Sequence, residues 1–273
     1  LGKTSVAFCY PGEISSTLAA SWLHVDTDLD TQSRWFILAG DGVYVTLYLA
    51  GEELFSCQTQ MRAESLEQLL QSCTPDGSFF AFEDAQSRFD TLAPLSLLPG
   101  QTPAIHEASA ANPCDARFSD ALASSLGFNP YGDAKYIDPA GTTSFTETNL
   151  SLRVSAQGQI LLQVLQADPR FQSASLDERD RIEAARSLLS SLTGDDYGDA
   201  RVYLQSYTAD GTQAVCTFGY YLSGVEAAAG SGIEIRFDGT QITRASVLYR
   251  RFTLDLQPAA LLPAAQAAAC LPR

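Results

Sequence analysis

The sequence has no run of about 18 apolar residues, so no segment has the length of a membrane-spanning helix. It shows no secretory leader either. The chain opens at Leu1 and not at Met, so a leader or anchor ahead of that residue is expected to lie outside it. Basic residues are scarce: 17 Lys and Arg stand against 32 Asp and Glu, a net charge of −15. Such a surface repels phosphate backbones and anionic lipid heads, which argues against nucleic acid as a partner. Only two histidines, His24 and His106, are available as neutral-pH bases. No CxxC pair occurs among the six cysteines, which speaks against a zinc site. The G-x-S-x-G, H-E-x-x-H and P-loop signatures are missing as well.

What is present is ordinary globular content, with 45% hydrophobic and 10% aromatic residues over 273 positions. That length suits one large or two modest domains. Cys9, Cys57, Cys73, Cys114, Cys216 and Cys270 leave the disulfide pattern open, since spacing alone cannot choose a pairing. Cys216 alternates in phase with Phe218 and Tyr220, the position of a buried strand thiol.

One pattern occurs twice. Residues 151–160 and 233–242 each read as an alternating strand, a glycine turn and the start of another strand. Each follows an amphipathic helix with its own caps. For the first helix, Asn112 is the expected cap, Pro113 the first position and Gly127 the stop, with Phe118 and Leu122 on one side. For the second, Ser175 and Glu178 form an S-x-x-E capping box. Ile182, Ala185, Leu189 and Leu192 share a face, and Gly194 ends the helix. Strands are expected at 142–148, 150–154 and 159–164 after the first helix. After the second they are expected at 200–207, 213–222, 232–237 and 241–253, with tight turns at Asp210-Gly211 and Asp238-Gly239.

The N-terminal part is mixed. Val6, Phe8 and Tyr10 alternate as a strand that Pro11-Gly12 should break, and Ile14, Leu18, Trp22 and Val25 follow at helical spacing. Residues 34–38 and 43–49 read as a hairpin around Ala39-Gly40-Asp41-Gly42, and 54–58 as a third strand. Leu66, Leu69, Leu70 and Cys73 keep the spacing of one helix face, and 78–82 reads as a short strand. Residues 92–114, with Pro94, Pro99, Pro103 and Pro113, read as a connection. The expected architecture is α+β. An N-terminal mixed α/β domain (1–100) precedes two tandem helix-plus-antiparallel-sheet repeats, the first at 101–170 with its linker and the second at 171–255. An Ala/Pro-rich tail (256–273) closes the chain.

Candidate chemistry is thin. Asp26, Asp28 and Asp30 match the first positions of a calcium loop. Thr31 stands where glycine is required and Ile37 where the closing glutamate belongs, so a solvated acidic turn is expected. Residues 194–199 form an acidic turn, read as a helix stop. His24 and His106 belong to no recognised constellation. Of the adjacent Tyr220 and Tyr221, one must point away from the core. No catalytic, cofactor-binding or metal residue is assigned.

The second half resembles a known family. The carriers are Ala121 to Pro130 (ALASSLGFNP), Tyr136-Ile137-Asp138, Gly141-Thr142-Thr143 and Leu150 to Gly158 (LSLRVSAQG). They continue with Phe218 to Gly224 (FGYYLSG), Ile242-Thr243-Arg244 and Tyr249 to Thr253 (YRRFT). In this order they resemble the YycH/YycI family of two-component system regulatory proteins, over about residues 112–253. The resemblance implies a non-enzymatic protein on the extracellular face of the cytoplasmic membrane of a Gram-positive bacterium. It implies attachment only through an anchor this chain does not contain. It also implies that the protein modulates a sensor histidine kinase, or contacts a paralogous regulator, by protein–protein contact. A cell-surface module for glycan or peptide and a secreted hydrolase are the competing readings.

Overall fold

A computed structural model describes residues 4–23, 25, 31–40, 42–50, 54–75, 77–86, 88–90, 92, 96–100, 105–132, 135–227 and 232–258. The chain divides into two compact units, Leu1–His106 with Gln257–Arg273, and Glu107–Leu256. It is a mixed α and β protein dominated by antiparallel strands.

In the first unit, β1 (Ser5–Ser15), β2 (Gln32–Ala39), β3 (Tyr44–Ala50) and β4 (Leu54–Arg62) form one antiparallel sheet in that order. The expected hairpin is present as β2 and β3, with Ala39 opposite Thr46. Ile37, Ala39, Val45, Leu47 and Leu49 are buried. Pro11-Gly12 does not end β1. The strand runs on to Ser15 with a register shift between Cys9 and Ile14, because an edge strand can turn the missing proline N–H away from its partner. Ile14 therefore belongs to β1, and α1 (Ser16–Trp22) is capped by the Ser15 hydroxyl, which accepts from the Leu18 N–H at 3.0 Å. In α2 (Ala63–Leu70) only Leu66 is buried. Leu69 is exposed and Cys73 lies beyond the helix, so helical spacing overstated the buried face. β5 (Phe79–Phe80) pairs with β6 (Leu97–Leu98).

The second unit opens with β7 (His106–Ala111), inside the stretch expected to be a connection. Next come α3 (Ala116–Ser125), β8 (Lys135–Ile137), β9 (Thr143–Thr146), β10 (Leu150–Val154) and β11 (Gln159–Val164). Then follow α4 (Glu178–Thr193), β12 (Arg201–Asp210), β13 (Gln213–Leu222), β14 (Val225–Glu226), β15 (Ile233–Asp238), β16 (Gln241–Leu248) and β17 (Arg251–Pro258). Eight strands form a continuous antiparallel path, β12-β13-β15-β16-β11-β10-β9-β8, with β14 as a ninth strand beside β13. The strands after α3 and those after α4 thus share one sheet, joined where β11 pairs with β16.

Helix ends differ from expectation in detail. The cap of α3 is Asp115, whose carboxylate accepts from the Phe118 N–H at 2.7 Å. Asn112 lies three residues further out. It makes a local turn, accepting from the Cys114 N–H and donating to the Ala156 carbonyl. The cap of α4 is Asp177, and Ser175 accepts from the Asp177 N–H instead of closing a capping box. Ile182, Ala185, Leu189 and Leu192 are all buried, and Gly194 ends α4 at φ 67°. Arg181, 2% exposed, ties α4 to both hairpin tips. It donates to the Thr212 carbonyl at 3.1 Å, the Gly239 carbonyl at 2.8 Å and the Tyr207 hydroxyl at 3.2 Å.

The last expected strand, 241–253, is split. Tyr249 leaves the sheet because its hydroxyl donates to the carbonyls of Thr193 and Asp196, and β17 then pairs with β7. Gly198 approaches this ribbon closely: at φ 66°, an added Cβ would collide with the Phe252 carbonyl. Gly211, at φ 58° in a hairpin tip, has open space around it. Gly211→Ala is therefore expected to cost about 1–2 kcal/mol, for the left-handed backbone alone. Gly198→Ala is expected to cost clearly more, because it adds the collision. Urea unfolding of the two variants checks this, and equal losses would refute the close approach.

Candidate functional site

Strand alternation gives the nine-stranded sheet two unlike faces. Along β15, Ile233, Ile235 and Phe237 are buried while Glu234 and Arg236 point the other way. The same division runs through β13, where Ala214, Cys216, Phe218 and Tyr220 are buried, and through β10 and β11. The helices lie on the buried side. Lys135 on β8 pairs with Asp120 of α3 at 2.6 Å, and Arg181 of α4 reaches Tyr207 of β12, opposite Cys216. Phe252 of β17 packs on Tyr220, ring centroids 4.9 Å apart. Among the described residues of this unit, no helix lies on the other face.

Register orders that uncovered face into rows. Val215 stands opposite Arg236, Arg236 opposite Arg244, Arg244 opposite Gln163, and Gln163 opposite Ser151. The next row runs Thr217, Glu234, Ser246, Leu161, Arg153, Ser144 and Tyr136. Tyr136 is 63% exposed at the β8 edge. At the β12 edge Tyr203 covers Gly219, with no room for a side chain there, and meets Tyr221 edge-on at 6.0 Å. Tyr220 and Tyr221 do point to opposite sides, with Tyr220 in the core. The face carries hydroxyls, amides, arginines and the exposed Tyr136, while Tyr203 is itself buried against Gly219. Tyrosine and arginine are enriched in protein interfaces.

On the helix side a groove of about 570 Å³ runs between α3 and α4. Its floor is Leu126, Phe171, Leu188 and Ile242, and its walls carry Ser125, Ser187, Ser191 and Gln172. Arg170 sits at the rim, its guanidinium 5.3 Å from the Phe171 ring. It donates to the Leu126 carbonyl at 2.9 Å, so it closes the C-terminal end of α3. Asp168 holds it with a 2.7 Å ion pair. The Arg170 guanidinium in turn keeps the Asp168 carboxyl below the usual carboxylate range.

The residues singled out in the sequence do not gather into a reactive centre. His24 and the Asp26, Asp28, Asp30 run lie outside the described residues, as do Cys270 and 259–273 of the tail. His106 begins β7. In the acidic turn, Asp196 pairs with Arg251 at 3.0 Å and Asp199 accepts from the Leu254 N–H at 2.9 Å, so its carboxylates fasten β17. Cys216 is buried, and burial pushes its thiol up to about 12. Burial also raises the Cys114 thiol, to about 11. Both are protonated at neutral pH and poor nucleophiles. Among the described residues no group of three or more His, Cys, Asp or Glu could hold a metal ion. Sequence reading missed Arg153, Arg236 and Arg244 as a set. Each has apolar neighbours in its own strand, which signals an outward side chain, but only register brings the three together.

No protein-family model matches the chain, and neither does any curated protein or solved structure.

The Asp168–Arg170 pair sets a testable pH response. The folded Asp168 carboxyl titrates below its unfolded value of about 4, so its stabilisation is complete above that pH. It is lost as the pH falls through the lower folded value. The stability gap between the natural chain and Asp168→Asn is expected to be widest at neutral pH and to shrink below about pH 4. Thermal melts across pH 2–7 check this, and a gap independent of pH would refute the ion pair's contribution.

Proposed function

We propose that this chain is a non-enzymatic regulatory protein that works by protein–protein contact, presenting the uncovered face of its large sheet. The observation that carries the reading is that face: it spans both strand runs, bears no helix among the described residues of its unit, and combines tyrosine and arginine with short polar side chains. The resemblance to the YycH/YycI regulators supplies the setting. In that setting the protein sits at the extracellular face of the cytoplasmic membrane, held by an anchor outside this chain, and modulates a sensor histidine kinase or contacts a paralogous regulator. We also read α3 with β8–β11, and α4 with β12, β13, β15 and β16, as two copies of one helix-plus-sheet unit. Both have the same order of helix then antiparallel strands, and each contributes its last strand to the β11–β16 junction. A second reading, a module for a glycan or peptide, draws on the open groove between α3 and α4, with its apolar floor and hydroxyl-bearing walls.

Bulk placed on the face separates these readings. Ser151→Tyr with Ser246→Tyr adds two rings to the uncovered side, and Ser187→Tyr adds one to the groove. Binding is measured against the extracytoplasmic domain of a sensor histidine kinase from the same organism. The face variant is expected to weaken binding at least tenfold, about 1.4 kcal/mol, with an unchanged melting temperature. Loss in the groove variant alone would move the contact to the helix side, and no binding by the natural chain would overturn the kinase assignment.

A further inference from the structure

The two central rows of the uncovered face differ in charge from what surrounds them, since Asp238 and Asp210 on the same side lie at the hairpin tips and Glu226 at the β14 edge. The protein carries a net charge of −15, yet Arg153, Arg236 and Arg244 stand on three strands of this one face and all are exposed. Arg236 and Arg244 are directly opposite each other on β15 and β16. Like charges in that position repel. Glu234 relieves only one of them, pairing with Arg236 at 2.6 Å. Among the described residues the Arg244 side chain makes no ion pair or hydrogen bond. Arg153 lies two strands from Arg244, across β11; it makes no ion pair among the described residues, and its charge helps lower the Asp138 carboxyl. Gln163 and Leu161 of β11 lie between the two arginines, so the space carries one amide and one apolar side chain.

Resting on the contact reading above, we propose that this face docks a short acidic segment of a protein partner, with its carboxylates on Arg244 and Arg153. A guanidinium offers two parallel N–H donors that match a carboxylate, and both arginines are free to use them. Strands about 4.8 Å apart, with a two-residue offset along them, place the two roughly 12 Å from each other. That interval is bridged by acidic side chains a few residues apart on an extended segment. A short segment suits the patch better than a long polyanion, because such a polymer would extend onto the surrounding acidic surface and be repelled. Within the central rows three arginines stand against Glu234 alone, and this local excess steers the segment there with an effect that weakens with salt.

The test uses the full chain and a labelled 12-residue peptide rich in Glu and Ser, with a Lys/Ser peptide and heparin as comparison probes. The Glu peptide is expected to bind and the Lys peptide not. Arg153→Glu with Arg244→Glu is expected to weaken binding at least tenfold. Arg179→Glu, an equal charge change on exposed α4, is expected to change it less than twofold. Raising salt from about 50 to 300 mM is expected to weaken binding severalfold. Retained binding in the double variant, or heparin binding as tightly as the Glu peptide and competing with it, would overturn the proposal. The outcomes also separate it from the contact reading. If bulk at Ser151 and Ser246 blocks the kinase domain but charge reversal does not, the contact face stands and the acidic partner falls. If the Glu peptide binds through the arginines while bulk leaves kinase binding intact, the reverse holds.

Discussion

The pairing of β11 with β16 is the constraint on which the second unit depends. It joins two runs of strands that are far apart in the chain, and it does so through residues with no exposure: Ile160 opposite Val247, and Leu162 opposite Ala245. Ladder hydrogen bonds and apolar burial act on the same pairs, which makes the register hard to shift. A slip by one residue would turn Ile160 and Leu162 outward and bring Gln159, Leu161 and Gln163 into the core. Both helices then lie on the buried side of a single sheet. The space between them is the α3–α4 groove, and the opposite side of the sheet is left to its polar residues.

The seam is reinforced by side chains that act at a distance. Arg181 carries a buried charge, and it binds both hairpin tips through carbonyls. Taking a guanidinium out of water is costly, so such a contact gives specificity more readily than net stability. It fixes where the β12–β13 and β15–β16 hairpins sit against α4. Tyr249 acts similarly at the other end. Its hydroxyl proton is shared by two carbonyls at the end of α4, those of Thr193 and Asp196, where the chain turns out of the sheet and β17 goes to β7. Gly158 supplies the carbonyl for the Tyr249 N–H, so this corner also links the two strand runs.

Local signals were read well where the chain decides its structure locally. The hairpins at Asp210-Gly211 and Asp238-Gly239, the face of α4 and its glycine stop follow from spacing and backbone freedom. The caps of α3 and α4 were displaced, because several polar residues near each start could serve and the one used depends on where the chain enters from the sheet. β7 and the end of β1 went unread for a different reason. The β7 sequence has little alternation and gains its strand from β17, and Pro11 is tolerated because β1 lies at a sheet edge. Leu69 kept helical spacing yet stays in solvent, since nothing packs against that side of a short helix.

The candidate contact surface divides along the same line. By itself the sequence determined which side chains in each strand turn outward, because alternation along a strand is a property of the backbone. It also set the acidic balance of the chain. The tertiary structure alone decided which outward residues become neighbours. Arg153 is 83 and 91 residues from Arg236 and Arg244 in the chain, and only the β10–β11–β16–β15 pairing places the three on one face. Register between distant strands depends on how the whole core packs, and no local stretch of sequence contains that information.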